Sequence, residues 1–144
     1  MNVTFKRIDI TDENITKLES ARYNAYGMSS LEIPCNESFY ANEIKKNKYI
    51  IYAAVIEDEI IAACYVSNLY ELYIEQLFTI KEYSSLKIGK KLLEFVLSNK
   101  KEIEQFFNKK FQYCYFSTRC NSLNNYFEEI GYEELNDVYM RKRI

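Results

Sequence analysis

Apolar and polar residues alternate from the start of the chain. Val3, Phe5, Ile8 and Ile10 stand out from polar neighbours, with one slip in parity, and predict a strand over Val3 to Ile10. Thr11-Asp12-Glu13-Asn14 offers N-caps for a helix from Ile15 to Tyr26, where Ile15, Leu18, Ala21, Arg22 and Ala25 recur at helical spacing. Gly27-Met28-Ser29-Ser30 stops it, a polar loop with Pro34 follows, and a short helix is expected over Ser38 to Lys46. Tyr49 to Val66 reads as a hairpin, two β-rich runs joined by the acidic turn Glu57-Asp58-Glu59. Leu72 to Ile80 is a further strand. Leu86 to Phe107 has a helical period (Ile88, Leu92, Phe95, Val96, Ile103, Phe106) that Ser98-Asn99-Lys100-Lys101 can break or bend. Phe111 to Ser117 is a strand, and Asn121 to Ile130 is a helix stopped by Gly131. Tyr132-Glu133-Glu134 and Val138 to Ile144 close the chain as strands. The order β-α-α-β-β-β-α-β-α-β-β predicts a partly antiparallel sheet covered by helices.

Composition narrows the function. A length of 144 residues fits one domain, residues 1–144, and 14 Tyr and 9 Phe supply an ample core. With 3 Gly and 1 Pro there is little room for linkers. A net charge of −2 gives no reason to expect nucleic acid or an anionic membrane as partner. The N-terminus lacks the apolar run of a secretory signal, and no stretch approaches the roughly 20 apolar residues of a membrane span, so a cytoplasmic protein is expected. Cys35, Cys64, Cys114 and Cys120 lack metal-ligand spacing, and no metal is expected. The absence of histidine excludes Ser-His-Asp and Cys-His chemistry, so a general base must be another group.

The informative segment is Glu75 to Leu93, where a strand passes through a short loop directly into a helix expected to begin near Ser85. A first helical turn has unpaired N–H groups and a partial positive charge, which suit a phosphate. Ser84, Ser85 and Gly89 are small enough for close approach, and Lys87, Lys90 and Lys91 add cations. The alternative is an ordinary capped and solvated helix start.

This segment resembles the GNAT superfamily of N-acetyltransferases. In that family a strand of the type E-x-L-x-V leads into the motif (Q/R)-x-x-G-x-(G/A) and a helix that often continues L-L. The chain has Glu75-Gln76-Leu77-Phe78-Thr79, then Ser84-Ser85-Leu86-Lys87-Ile88-Gly89, then Lys90-Lys91-Leu92-Leu93. A later family pattern, A-x-x-(F/L)-Y-E-(K/R)-x-G-(F/Y), is matched by Leu123-Asn124-Asn125-Tyr126-Phe127-Glu128-Glu129-Ile130-Gly131-Tyr132. Ser84 stands where Gln or Arg is usual, Lys87 where the first Gly is usual, and Phe127 where a tyrosine is usual. If the backbone at Lys87 needs positive φ, its β-carbon crowds a phosphate; if it is helical, no strain follows.

The resemblance implies a GNAT-like α/β (α+β) fold, a mixed and mostly antiparallel sheet of six to seven strands flanked by about four helices. It implies acetyl-CoA as acyl donor and an amine of a small molecule or peptide as acceptor, attacked directly in a ternary complex. The other reading is a weakly active or inactive CoA-binding or partner-binding module of the same fold. Under either reading a monomer or homodimer is expected. Cofactor contacts carry over to Leu77, Phe78 and Thr79 on the strand and to Ser84, Ser85, Leu86, Lys87, Ile88, Gly89 and Lys90 in the loop and helix start. Asn121 and Phe127 join them. Glu75 becomes the candidate base, pointing the same way as Leu77 and Thr79 if the strand is regular, or else a surface Glu. Tyr126 is the nearest phenol to the missing tyrosine and the candidate acid, or else a core residue. Substrate choice is expected in the first two helices and their loop, at Arg22, Tyr23, Tyr26 and Glu32, with Tyr139 a similar case; packing on the sheet is the alternative for the aromatic residues.

Overall fold

The computed structural model describes residues 2–117, 128–129, 131–136 and 138–144. Seven strands form one sheet in the order β1-β2-β3-β4-β5-β7-β6. They are β1 (Thr4–Arg7), β2 (Ile50–Ile56), β3 (Glu59–Ser67), β4 (Leu72–Thr79), β5 (Tyr113–Ser117), β6 (Glu133–Glu134) and β7 (Tyr139–Arg143). Among the described residues only β4 and β5 pair in parallel; every other neighbouring pair is antiparallel. Among the described residues the α-helices are α1 (Asp12–Tyr26), α2 (Phe39–Lys45), α3 (Ile88–Ser98) and α4 (Lys100–Phe107). The long helix expected to Phe107 does divide at Asn99. Of the helix expected over Asn121 to Ile130, only Glu128 and Glu129 lie within the described residues, and both are helical.

Local chemistry explains the boundaries. Thr11 Oγ1 accepts the Asn14 amide at 3.1 Å and caps α1, with Asp12 and Glu13 complementing the helix dipole. Gly27, at φ +66°, ends it: its amide bonds to Asn24 O and the Met28 amide to Tyr23 O. The β2–β3 hairpin turns on two residues, Glu57 (φ 49°) and Asp58 (φ 66°), the double positive φ that matches strand twist. Glu59, expected in the turn, already pairs with Ile56.

β2 and β3 are buried almost end to end because helices cover both faces. On one face the hydroxyl of Tyr65 reaches Glu19 of α1 (2.8 Å) and its ring packs on Tyr40 of α2. On the other, the hydroxyl of Tyr52 donates to Glu102 of α4 (2.5 Å) and its ring meets Phe95 of α3. At the sheet centre, β4 pairs with β5 only from Leu72 to Ile74. From Glu75 to Thr79, the edge of β4 that faces β5 has no strand partner among the described residues, so the two strands open into a cleft.

Candidate active site

The cleft leads to the end of β4. A 3-10 turn, Lys81–Leu86, follows the strand, so α3 begins at Ile88, three residues later than the expected start at Ser85. Lys87 joins the two at φ 56°, ψ 27°, in the left-handed region, and no side chain caps the helix. The first intrahelical bond runs from the Lys91 amide to Lys87 O (3.3 Å), which leaves the preceding amides of Ile88, Gly89 and Lys90 without intrahelical acceptors. A β-carbon on Gly89 would lie 3.5 Å from Thr79 Oγ1, an ordinary contact, so the start of α3 sits close against the end of β4. Ser84 is exposed and its hydroxyl donates to Lys81 O (3.0 Å); Ser85 and Leu86 complete the turn. Lys87 is exposed and Lys90 half-buried beside the uncapped helix start.

The other side of β4 is shaped by a bulge. Tyr65 pairs with Gln76 and Val66 with Ile74, so Glu75 is an extra residue opposite β3. A bulge turns two consecutive side chains to the same face. Gln76 therefore faces α1 and α2, where its amide donates to the Tyr40 hydroxyl (3.0 Å) and accepts from the Tyr26 hydroxyl (3.2 Å). Glu75 lies on this face too, accepting from Ser67 Oγ at 3.3 Å. Thr79, beside Gly89, faces α3 instead. The regular strand that would have aligned Glu75 with Leu77 and Thr79 is not what forms.

Burial raises the hold of the half-buried Glu75 carboxyl on its proton; the Ser67 bond opposes this and the negative charge of Glu43 on α2 adds to it. Burial also pushes the Tyr49 hydroxyl far up, reinforced by Glu75, Tyr40 and Glu43, so these groups share one neighbourhood. The rings of Tyr40, Tyr49 and Tyr65 stand 6.0–6.1 Å apart and wall it. Oε2 of Glu43 is enclosed and has no hydrogen-bond partner among the described residues.

The sequence profile of the acetyltransferase (GNAT) family matches residues 13–132. The chain belongs to the GNAT acetyltransferase family. Solved structures of GNAT-family proteins share its fold along nearly the whole length. The PaiA N-acetyltransferase of Thermoplasma acidophilum, in complex with coenzyme A, is 15% identical with a TM-score of 0.63, covering 100% of both chains. The ribosomal-protein-S18-alanine N-acetyltransferase of Escherichia coli is 12% identical at TM-score 0.70, covering 99% of this chain and 94% of its own. The aminoglycoside 6'-N-acetyltransferase of Enterococcus faecium is 13% identical at TM-score 0.72, covering 97% and 96%. No curated protein matches the sequence.

Coenzyme A fits this GNAT site on two features of the chain itself. The edge of β4 that carries Leu77, Phe78 and Thr79 is open to backbone pairing beside β5. The uncapped start of α3, with Lys87 and Lys90, offers amides and cations suited to a pyrophosphate. Lys87 occupies the usual glycine position in a glycine-like conformation, so the family motif's shape persists without its residue. Asn121, Tyr126 and Phe127, assigned from the later motif, lie outside the described residues, as does Cys120.

Of the residues expected to choose the substrate, Tyr26 joins the Glu75 side through Gln76 and is half exposed. Arg22 has another task. Its Nε and Nη2 each reach Glu19 at 2.9 Å; Glu19 is fully buried and also accepts from Ser38 Oγ and Tyr65. That network ties α1, α2 and β3 together, and the Arg22 guanidinium, over the Tyr40 ring at 4.7 Å, supports the aromatic wall from behind. Tyr23 is buried and its hydroxyl donates to Ile33 O (2.9 Å), anchoring the loop after α1. Glu32 is exposed on that loop, and Tyr139 packs edge-on against Tyr73 on the opposite flank. Sequence reasoning missed Tyr40, Glu43, Tyr49 and Gln76. Tyr40 and Glu43 are three residues apart on one short helix, which puts them on one face, but nothing local aims that face at β4.

Proposed function

We propose that this GNAT protein transfers an acetyl group from acetyl-CoA to a primary amine by direct attack in a ternary complex. The observation that carries the reading is the β4 bulge at Glu75. It delivers a half-buried carboxylate to the face beside α1 and α2, next to where β4 parts from β5. Bound acetyl-CoA supplies the activated acetyl group as a thioester. Backbone groups of Leu77 to Thr79 hold the pantetheine arm, and a β4 N–H polarises the carbonyl to be attacked. The amides of Ile88, Gly89 and Lys90 hold the pyrophosphate with Lys87 and Lys90. An alkylammonium, with a pKa of about 10.4, must lose a proton before it attacks, and Glu75 takes it directly or through water. The neutral nitrogen then forms the C–N bond as the thioester C–S bond breaks, CoA leaves as its thiolate, and the nitrogen's further proton passes through water to that sulfur. Its raised proton affinity brings it closer to that task than an ordinary surface carboxylate.

The described cysteines support direct attack over an acyl-cysteine route. Burial raises the thiols of Cys35, Cys64 and Cys114, the last to about 12, which keeps each protonated and poorly nucleophilic. The test is a thermal shift with acetyl-CoA followed by CoA-thiol release against a broad amine panel, with Glu75→Gln as comparison. An acetyl-CoA shift with turnover that falls in Glu75→Gln is expected. A shift with no turnover across the panel replaces this reading with a CoA-binding module, and no shift overturns both.

A further inference from the structure

Acetylating a simple monoamine requires one carboxylate to receive one proton. This chain has two on the acceptor side. Glu43 projects from α2 with Oε2 enclosed and without a hydrogen-bond partner among the described residues, and its charge acts on Glu75. Among the described residues the ion pairs join Arg7 to Glu102, Lys17 to Glu13, Arg22 to Glu19, Lys110 to Glu104 and Arg141 to Glu133. None reaches Glu43 or Glu75. An enclosed carboxylate oxygen without a donor is costly, and a like charge in the same neighbourhood adds to the cost. A cation arriving from outside would offset both.

Resting on the acceptor reading above, we propose that Glu43 is the specificity-determining residue of this site and that it selects an amine with a second positive charge, a linear diamine or polyamine. One nitrogen loses its proton on the Glu75 side and becomes the nucleophile. The distal ammonium keeps its charge and pairs with Glu43. The half-buried ring of Tyr40, backed by the buried Tyr49, suits the methylene spacer and the cation together. The Gln76 amide, held between Tyr26 and Tyr40, fixes the wall against which the chain would lie. A monoamine would leave Glu43 as it stands now, without a donor.

The test compares a homologous series of α,ω-diaminoalkanes with the n-alkylamines of matching length, using acetyl-CoA and the wild-type protein, Glu43→Gln and Glu43→Asp. Wild type should prefer diamines by about tenfold or more in kcat/KM, mostly through KM. Glu43→Gln should collapse that preference toward unity, and Glu43→Asp should restore part of it. Calorimetric titration of a diaminoalkane in the presence of CoA gives a readout apart from turnover, with binding at least about tenfold weaker in Glu43→Gln. The thermal shift with acetyl-CoA serves as the folding control for both variants. Equal turnover of monoamines and diamines, unaffected by Glu43→Gln, overturns this inference and leaves amine acetylation standing. Absence of diamine binding to wild type also overturns it. Glu43-dependent diamine binding with no CoA-thiol release from any amine supports the dication site and overturns the acetyl-transfer reading instead.

Discussion

Lys87 holds a conformation that a lysine does not favour, and replacing it separates two effects that usually travel together. At φ 56° and ψ 27° its β-carbon crowds the following carbonyl, at a cost of about 1–2 kcal/mol relative to glycine. Glycine gives back about 0.4–1 kcal/mol through the greater freedom of its unfolded chain. Lys87→Gly should therefore stabilise the protein by about 0.5–1 kcal/mol, or roughly 2–4 °C in midpoint for a chain of this size. Lys87→Ala keeps the β-carbon and removes the charge, so its midpoint should stay near that of wild type, as for most exposed positions. Differential scanning calorimetry on the three proteins reads this directly. CoA affinity reads the second effect. Lys87→Ala should weaken binding by about 1 kcal/mol at low salt, less as salt rises, because an ammonium beside the α3 amides is lost. Lys87→Gly loses the same charge but lets phosphate approach the backbone more closely, so it should bind CoA more tightly than Lys87→Ala. A Lys87→Gly protein that melts below wild type, or binds CoA more weakly than Lys87→Ala, refutes the claim that this residue carries a glycine conformation at the phosphate site.

Other expectations follow from the same geometry. Gly89→Ala places a β-carbon at an ordinary 3.5 Å from Thr79 Oγ1 and should preserve CoA binding, whereas Gly89→Val adds branches against β4, costs about 1–3 kcal/mol in overpacking and should lower CoA affinity in a calorimetric titration. Glu75→Gln should slow turnover about 10²–10⁴-fold while sparing the acetyl-CoA dissociation constant. A base works only when deprotonated, so the raised proton affinity of Glu75 moves the acid limb of kcat/KM upward from where an ordinary carboxylate would set it. Glu43→Gln removes a like charge and should move that limb to lower pH; a limb that stays put removes Glu43 from the electrostatics of the base. Arg22→Met strands the buried Glu19 carboxylate without its cation and should cost about 3 kcal/mol or more, seen as a large drop in thermal midpoint; a drop within about 0.5 kcal/mol would show the pair to be dispensable.

Much of the fold was legible in the order of residues because it depends on near neighbours. The strand-loop-helix from Leu72 onward, the α1 stop at Gly27 and the break near Asn99 all follow from periodicity and capping within a few residues. The turn that joins β4 to α3 was legible for the same reason, and the matched motif named its family.

The chemistry of the site depended on partners distant in the chain. No local signal sets the bulge at Glu75; the register of β3 against β4 sets it, and that register decides which face a carboxylate meets. Arg22 read as a candidate for substrate choice because Glu19, three residues earlier, gives no sign of being buried; the hydroxyls of Ser38 and Tyr65 complete that burial from two other elements. Lys87 could have been helical or left-handed by its own identity, and the chain took the left-handed turn where the end of β4 meets the start of α3. Glu43 came into view beside Glu75 only when the bond from Gln76 to Tyr40 tied α2 to β4. Sequence by itself determined which elements form, because helices, strands and turns are specified by spacing along the chain. Only the tertiary structure decided which charged groups face one another, because burial and electrostatics act through space and take no account of sequence distance.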